Sequence, residues 1–300
     1  MLGVVNLDKP VGPTSHDMVG LLRRLTGTRR IGHAGTLDPL ASGVLPILVG
    51  AATRLSEELT GGPKRYLATI RLGATSATDD GEGPIQPGEG PIPDEAAIRT
   101  ALGGFVGTFE QRPPAFSARK IAGRAAYRVA RSGETVELAT RRVTVHSIDV
   151  LDVEVGDEWT YVSVDLRCGP GTYVRSIARD LGHVLGCGGY LHALRRTEAA
   201  GLSVETALSP DRLEDLSAEG RLADALLPIA DLLPLPRVRL SDLDVDRFRH
   251  GSRVALADAG RGEMGRRRAV VDASDQLVGI GSVVGGELQP EKVLVPQAAQ

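Results

Sequence analysis

The chain has 300 residues, 42% hydrophobic and 24% charged, with a formal net charge of −3. A chain of that length buries a large core and suits one big domain, or a big one with a small one. Its two cysteines, Cys168 and Cys187, exclude a disulfide framework and lack metal-ligand spacing.

From the N-terminus, Gly3–Leu7 reads as a short strand entering the Pro- and Gly-rich turn 8–13. Thr14 with Asp17 fits a capping box opening a helix through Leu25, with apolar residues at 18, 19, 21, 22 and 25. Tyr66–Leu72 alternates as a strand, 79–93 reads as an exposed acidic loop, and Asp94 caps a short helix. Residues 143–153 and 159–167 alternate as paired strands. Thr172–Arg175 opens an amphipathic helix to about Leu185, and Leu191–Arg196 follows. Leu–Pro alternation at 232–236 marks a linker. Beyond it the Gly-rich segment 237–295 holds β-type runs at 269–271, 278–284 and 293–295, as in a small β domain.

Charge is distributed in blocks. Residues 111–142 carry eight Lys and Arg against two acids, whereas 76–110 carry one against seven. Part of 111–142 is expected to be helical, with Arg124, Arg128 and Arg131 along one side and no acidic partners. If the basic blocks share a face, the chain presents a cationic groove despite its acidic total.

No apolar run approaches a membrane span, and the stretch MLGVVNLDKPVG is neither a basic leader nor a signal core, so a cytoplasmic protein is expected. The phosphate loop, dinucleotide fingerprint, HExxH and GxSxG patterns are missing, so no cofactor and no metal is expected.

Residues 32–45 read Gly-His-Ala-Gly-Thr-Leu-Asp-Pro-Leu-Ala-Ser-Gly-Val-Leu, with Asp38 their one acid. Glycines supply backbone freedom, and Pro39 biases Asp38 towards an extended backbone. Taken alone, the loop is better read as an Asx-turn whose side chain caps its own backbone.

These segments together resemble the TruB family of tRNA pseudouridine synthases. The matching pieces run in order: Asn6–Gly12, Gly32–Gly43, Lys64-Arg65-Tyr66 with Arg71–Gly73, Asp80 and Gly83, Pro113–Lys120, Gly171–Ser176, and Leu194-Arg195-Arg196. The likeness covers roughly residues 3 to 198. It departs at Ala77, where the family commonly has an acid, and at Arg54, where it commonly has Lys.

The resemblance implies an α/β (α+β) catalytic domain over 1–235, with a mixed, largely antiparallel sheet, a central RNA cleft and a basic RNA-gripping insertion at 111–142. A PUA-like RNA-binding domain is implied over 236–300. The implied activity is isomerisation of uridine to pseudouridine at position 55 of the tRNA T-arm, by base flipping and without a cofactor, in a monomer that meets tRNA and no membrane. Asp38 is implied as nucleophile, Arg175 as its ion-pair partner and Tyr66 as the active-site tyrosine that stacks on uracil and helps move the C5 proton. His33 braces the vacated base stack, and Tyr173 and Leu194 line the pocket. Lys9, Lys64, Arg119, Lys120 and Arg124 are expected to meet phosphates. Two competitors are a tRNA-folding chaperone without chemistry and a dyskerin-type guided enzyme of box H/ACA particles. The Asp38–Tyr66–Arg175 set argues against the first, and the absence of the usual extensions argues against the second.

Overall fold

The structure, a computed structural model, describes residues 1–116, the backbone of 120–121 and 124–125, and residues 138–256 and 265–294. Strand β1 (Gly3–Lys9) leads into the helix Ser15–Thr26. The expected capping box is present: the Thr14 hydroxyl accepts from the Asp17 amide at 3.1 Å, and the Asp17 carboxylate accepts from the Thr14 amide at 2.8 Å. The helix buries Met18, Val19, Leu21 and Leu22 and ends on Gly27 in the left-handed region.

Next come β2 (Ile31–His33), β3 (Ala41–Val49) and β4 (Lys64–Leu72), then a small hairpin of β5 (Ala74–Ser76) and β6 (Ile85–Pro87). That hairpin lies partly inside the stretch expected to be loop. Asp94 caps the helix Glu95–Gly103, accepting from the Ala97 amide at 2.8 Å. Strand β7 (Gly107–Gln111) follows, then the two-residue strands β8 (Lys120–Ile121) and β9 (Arg124–Ala125), which pair with each other. The helix expected along Arg124, Arg128 and Arg131 is therefore replaced by strand at Arg124, while Arg128 and Arg131 lie outside the described residues. The long hairpin β10 (Arg141–Val155) and β11 (Thr160–Cys168) precedes the helix Val174–Leu185, and then β12 (Gly189–Ala199) and β13 (Leu202–Ser203).

Nine of the described strands form one sheet, ordered β1-β3-β12-β4-β11-β10-β7, with β2 and β13 appended to β3 and β12. All its strand pairs are antiparallel except β3 with β12. Alternation along β4 explains its place near the centre: Lys64, Tyr66, Ala68, Ile70 and Leu72 face inward, and the residues between them face out. Packing of the helices Ser15–Thr26 and Val174–Leu185 against that inner face builds the main core around Leu22, Leu45, Ile70, Val164 and Ile177.

The C-terminal strands β14 (Arg237–Arg239), β15 (Val254–Ala255), β16 (Arg267–Val271), β17 (Leu277–Val284) and β18 (Glu287–Val293) make a five-stranded sheet beside the helix Asp242–Arg249. The Leu–Pro stretch is packed rather than free. Ile229 and Leu233 join Val4, Leu48 and Leu55 to Ala269, Val271 and Ile280 in one apolar cluster spanning both sheets. Glu58 pins the same junction, 2.7 Å from Arg267 and 3.1 Å from Lys292. No helix among the described residues is long and apolar enough to cross a membrane.

Candidate active site

The loop between β2 and β3 carries Asp38, and its backbone is tied from three sides. Ser15 Oγ donates to the Leu37 carbonyl at 3.0 Å and accepts from the Leu37 amide at 2.8 Å. The Gly12 amide donates to the Pro39 carbonyl at 2.9 Å, and the Ala41 amide closes a turn on the Asp38 carbonyl at 3.0 Å. From beneath, Arg196 donates to the carbonyls of Val44 at 2.7 Å, Gly35 at 3.0 Å and Thr36 at 3.4 Å. Glycine is required at position 43: its φ is 101°, and a Cβ there would lie 2.1 Å from the Arg196 carbonyl oxygen across the parallel β3–β12 pair.

With its backbone held elsewhere, the Asp38 carboxylate is left to face the cleft. Among the described residues no loop amide donates to it, so the Asx-turn alternative fails. Instead Arg175 Nε lies 3.0 Å from Asp38 Oδ2, an ion pair rather than an aligned hydrogen bond. The Asp38 side chain retains 37% of its exposure and Arg175 only 5%. Arg175 is held by the Thr78 carbonyl at 3.0 Å, the Phe116 carbonyl at 2.9 Å and Asp80 Oδ2 at 3.1 Å. Asp80 in turn accepts from the Thr78 hydroxyl and from the Glu82 amide at 3.1 Å. Enclosure pushes the Asp38 pKa above the usual carboxylate value; Arg175 opposes that rise and Asp80 adds to it.

Two cavities meet at this ion pair. One, of about 290 Å³, is lined by Asp38, Lys64, Tyr66, Tyr173, Arg175, Leu194 and Arg196. The other, of about 560 Å³, is lined by His16, His33, Asp38, Asp80, Glu82, Phe116 and Arg175. Asp38 and Arg175, with Thr36 and Leu37, line both and form the wall between them. Register delivers the first cavity, since β12 places Arg196 opposite Tyr66 and Leu194 opposite Ala68. Burial raises the Tyr66 phenol pKa and Arg196 opposes it; burial and Arg196 together lower His33, favouring the neutral imidazole. Tyr173 is fixed through its backbone: the Gln111 side chain accepts from the Tyr173 amide at 2.9 Å and donates to its carbonyl at 3.0 Å.

The structure therefore brings together Asp38, Tyr66, Arg175, Tyr173, Leu194 and Lys64, with His33 on the far side of the dividing wall. Lys9 is not on an RNA-facing surface as expected. It is fully buried, its ammonium donates to the carbonyls of Pro10, Pro13 and Pro39, and burial lowers its pKa to about 8. Lys64 likewise sits in the cavity wall, where Nζ donates to the Thr60 and Gly62 carbonyls, instead of reaching outward to phosphate. Arg119 lies outside the described residues, as do the side chains of Lys120 and Arg124.

Three further residues shape the site. Asp80 and Arg196 stand in the sequence only as members of matching segments, although the period of a strand already places Arg196 on the face of Leu194. Gln111, an isolated glutamine before Arg-Pro-Pro, carries no sequence signal. At Ala77, where an acid is common in the family, Ser76 and Thr78 hydroxyls and the Asp79–Arg179 pair at 2.8 Å hold the loop.

Comparison with known proteins gives three consecutive family matches. Residues 23–174 match the TruB family pseudouridylate synthase N-terminal domain, 175–234 the tRNA pseudouridylate synthase B C-terminal domain, and 236–294 the pseudouridine synthase II TruB C-terminal region. The chain is 40% identical to tRNA pseudouridine synthase B of Ralstonia pickettii (strain 12J), over 97% of this chain and 94% of that one. It is 42% identical to the protein of the same name from Acaryochloris marina (strain MBIC 11017), over 99% and 100%. Among solved structures, that of a Cbf5-Nop10-Gar1 complex contains a chain 29% identical to this one, with a TM-score of 0.72 over 98% of this chain and 85% of that one. With matches of this extent the chain belongs to the TruB family of pseudouridylate synthases, isomerases that act on uridine in RNA.

Proposed function

We propose that this enzyme converts the uridine at position 55 of the tRNA T-arm to pseudouridine, working on a flipped base with Asp38 as nucleophile and without a cofactor. The observation that carries the reading is a partly enclosed carboxylate, paired with a buried arginine at 3.0 Å, opening onto a cavity of about 290 Å³. The two relatives named tRNA pseudouridine synthase B supply the class of RNA.

A base stacked in a folded loop is out of reach of Asp38 until it is extruded. In this reading Tyr66, Tyr173 and Leu194 hold the uracil in the smaller cavity, while His33 in the larger one braces the gap it leaves. The Asp38 carboxylate captures C1′ as the N1–C1′ bond breaks, much as a retaining glycosidase holds its anomeric carbon. Arg175 keeps that carboxylate ionised, and Tyr66 assists removal of the C5 proton. Arg119, Lys120 and Arg124, within a basic insertion of a catalytic domain over 1–235, contact phosphates. A PUA-like domain over 236–300 adds RNA contact, in a cytoplasmic monomer.

Incubation with a T-arm stem-loop followed by carbodiimide mapping tests this. A single pseudouridine at the T-loop uridine is expected; unmodified RNA rejects the assignment.

A further inference from the structure

Lys64 and Arg196 are both buried, 8% and 1% exposed, and both line the smaller cavity. Lys64 contacts the carbonyl oxygens of Thr60 and Gly62, and Arg196 those of Gly35, Thr36 and Val44 together with the Tyr66 phenol. Neither forms an ion pair with an acid among the described residues. A buried cation without a counter-ion is costly to maintain. Lys9 is caged by carbonyls in the same way but lines neither cavity, whereas Lys64 and Arg196 line the one that holds Asp38, where an anion arriving with the substrate would meet them. An ammonium has three N–H donors, and two of those on Lys64 are taken by carbonyls, which leaves one for the cavity. Burial lowers Lys64 only to about 8, so it carries charge at neutral pH.

The Asp38–Arg175 pair and the Lys64 and Arg196 cations line the same cavity, with Tyr66 and Leu194 between them in the lining. A uracil whose ribose C1′ is presented to Asp38 shares that cavity with both cations.

We infer that Lys64, backed by Arg196, stabilises the uracil anion released when the glycosidic bond breaks. This rests on the isomerase reading above and assigns Lys64 to the base instead of to phosphate. The N1–C1′ electron pair leaves with uracil and spreads over N1, O2 and O4, while an Asp38 oxygen bonds to C1′. After the ring turns, C5 attacks C1′ and expels the Asp38 carboxylate; the C5 proton departs and N1 is protonated. No electrons are gained or lost overall. Donors fixed where charge develops act only in that step, which is the condition for raising the rate rather than the affinity. Arg196 also holds the Asp38 loop and lies beside Tyr66, so it is a positioning residue as well, and Lys64 is the cleaner test.

The experiment compares single-turnover rates of N1–C1′ bond cleavage on T-arm stem-loops carrying uridine or 5-fluorouridine at the target; fluorine cannot leave C5 as the proton does, so loss of the N-glycoside and not finished pseudouridine is read on both RNAs. Fluorine acidifies the uracil, so its anion leaves with less help. Lys64→Gln, which keeps two N–H donors for the carbonyls but removes the charge, is expected to lose about 100-fold on uridine and only about 10-fold on 5-fluorouridine, with RNA affinity unchanged. Lys64→Arg is expected to restore most of the uridine rate. Equal losses on both RNAs, or a loss confined to affinity, overturn the inference while leaving the isomerase reading intact. A wild-type chain inactive on both RNAs refutes that reading, and this inference with it. Thermal melting shows whether Lys64→Gln folds; if it does not, Lys64→Met supplies the neutral side chain for the same ratio.

Discussion

Two sets of buried cations share the cleft, one among carboxylates and the other not. Arg175 lies between Asp38 and Asp80 with both carboxylates within 3.1 Å, while Lys64 and Arg196 have no carboxylate and rest against carbonyl oxygens, with the Tyr66 phenol beside Arg196. The difference teaches how one cavity serves two charge states. A nucleophile must stay ionised from the resting enzyme onwards, so its counter-ion is permanent. A leaving anion exists only briefly, so the cations facing it stand without one until the bond breaks.

Substitutions on each side break or sharpen that contrast. The largest effect is expected for Arg175→Lys, which keeps the charge but cannot span Asp38, Asp80 and two carbonyls at once; single-turnover rates should fall roughly 1000-fold. Asp80→Asn removes the second carboxylate from a buried pair, with a stability loss of roughly 3 kcal/mol by denaturant unfolding and a rate loss of roughly 100-fold. It carries a pH signature as well. Wild-type rate should fall on acidification with a midpoint above the ordinary carboxylate value, because enclosure and Asp80 both raise Asp38. Without the Asp80 charge the Asp38 carboxyl ionises more readily, so that midpoint should move to lower pH. An unmoved acid limb would detach Asp80 from the nucleophile.

Gln111→Met, similar in volume but unable to hold the Tyr173 peptide, should lower the rate about 10-fold and cost roughly 1–2 kcal/mol. The smallest change is expected far from the cleft. Glu58→Gln at the junction of the two sheets should cost roughly 1 kcal/mol or less, since Arg267 remains 36% exposed, and should leave the rate alone.

Features written in local pattern were legible from the chain. The Thr14–Asp17 box, the Asp94 cap and the alternation of β4 and β11 each follow from neighbours a few residues apart. What escaped was set by distant contacts. Lys9 reads as an exposed lysine in a Pro- and Gly-rich turn; its carbonyl cage includes Pro39, thirty residues on. The central position of β12 is masked by a register shift at 191/193, which breaks the alternation of Leu191–Arg196, and by another just beyond it at 196/198. The helix Asp242–Arg249 has only Val245 and Phe248 as its buried face, too few to mark it in a segment read as β. Gln111 acts wholly through a peptide 62 residues away.

The most direct test of the chemistry is Asp38→Asn, with product formation and RNA binding measured side by side on one T-arm stem-loop. Asparagine keeps the size of the side chain but loses the charge and the nucleophilic oxygen. Carbodiimide mapping should find no pseudouridine with this variant while its RNA affinity matches that of the wild type. Pseudouridine formed at a comparable rate by Asp38→Asn would contradict the assignment of Asp38 as nucleophile.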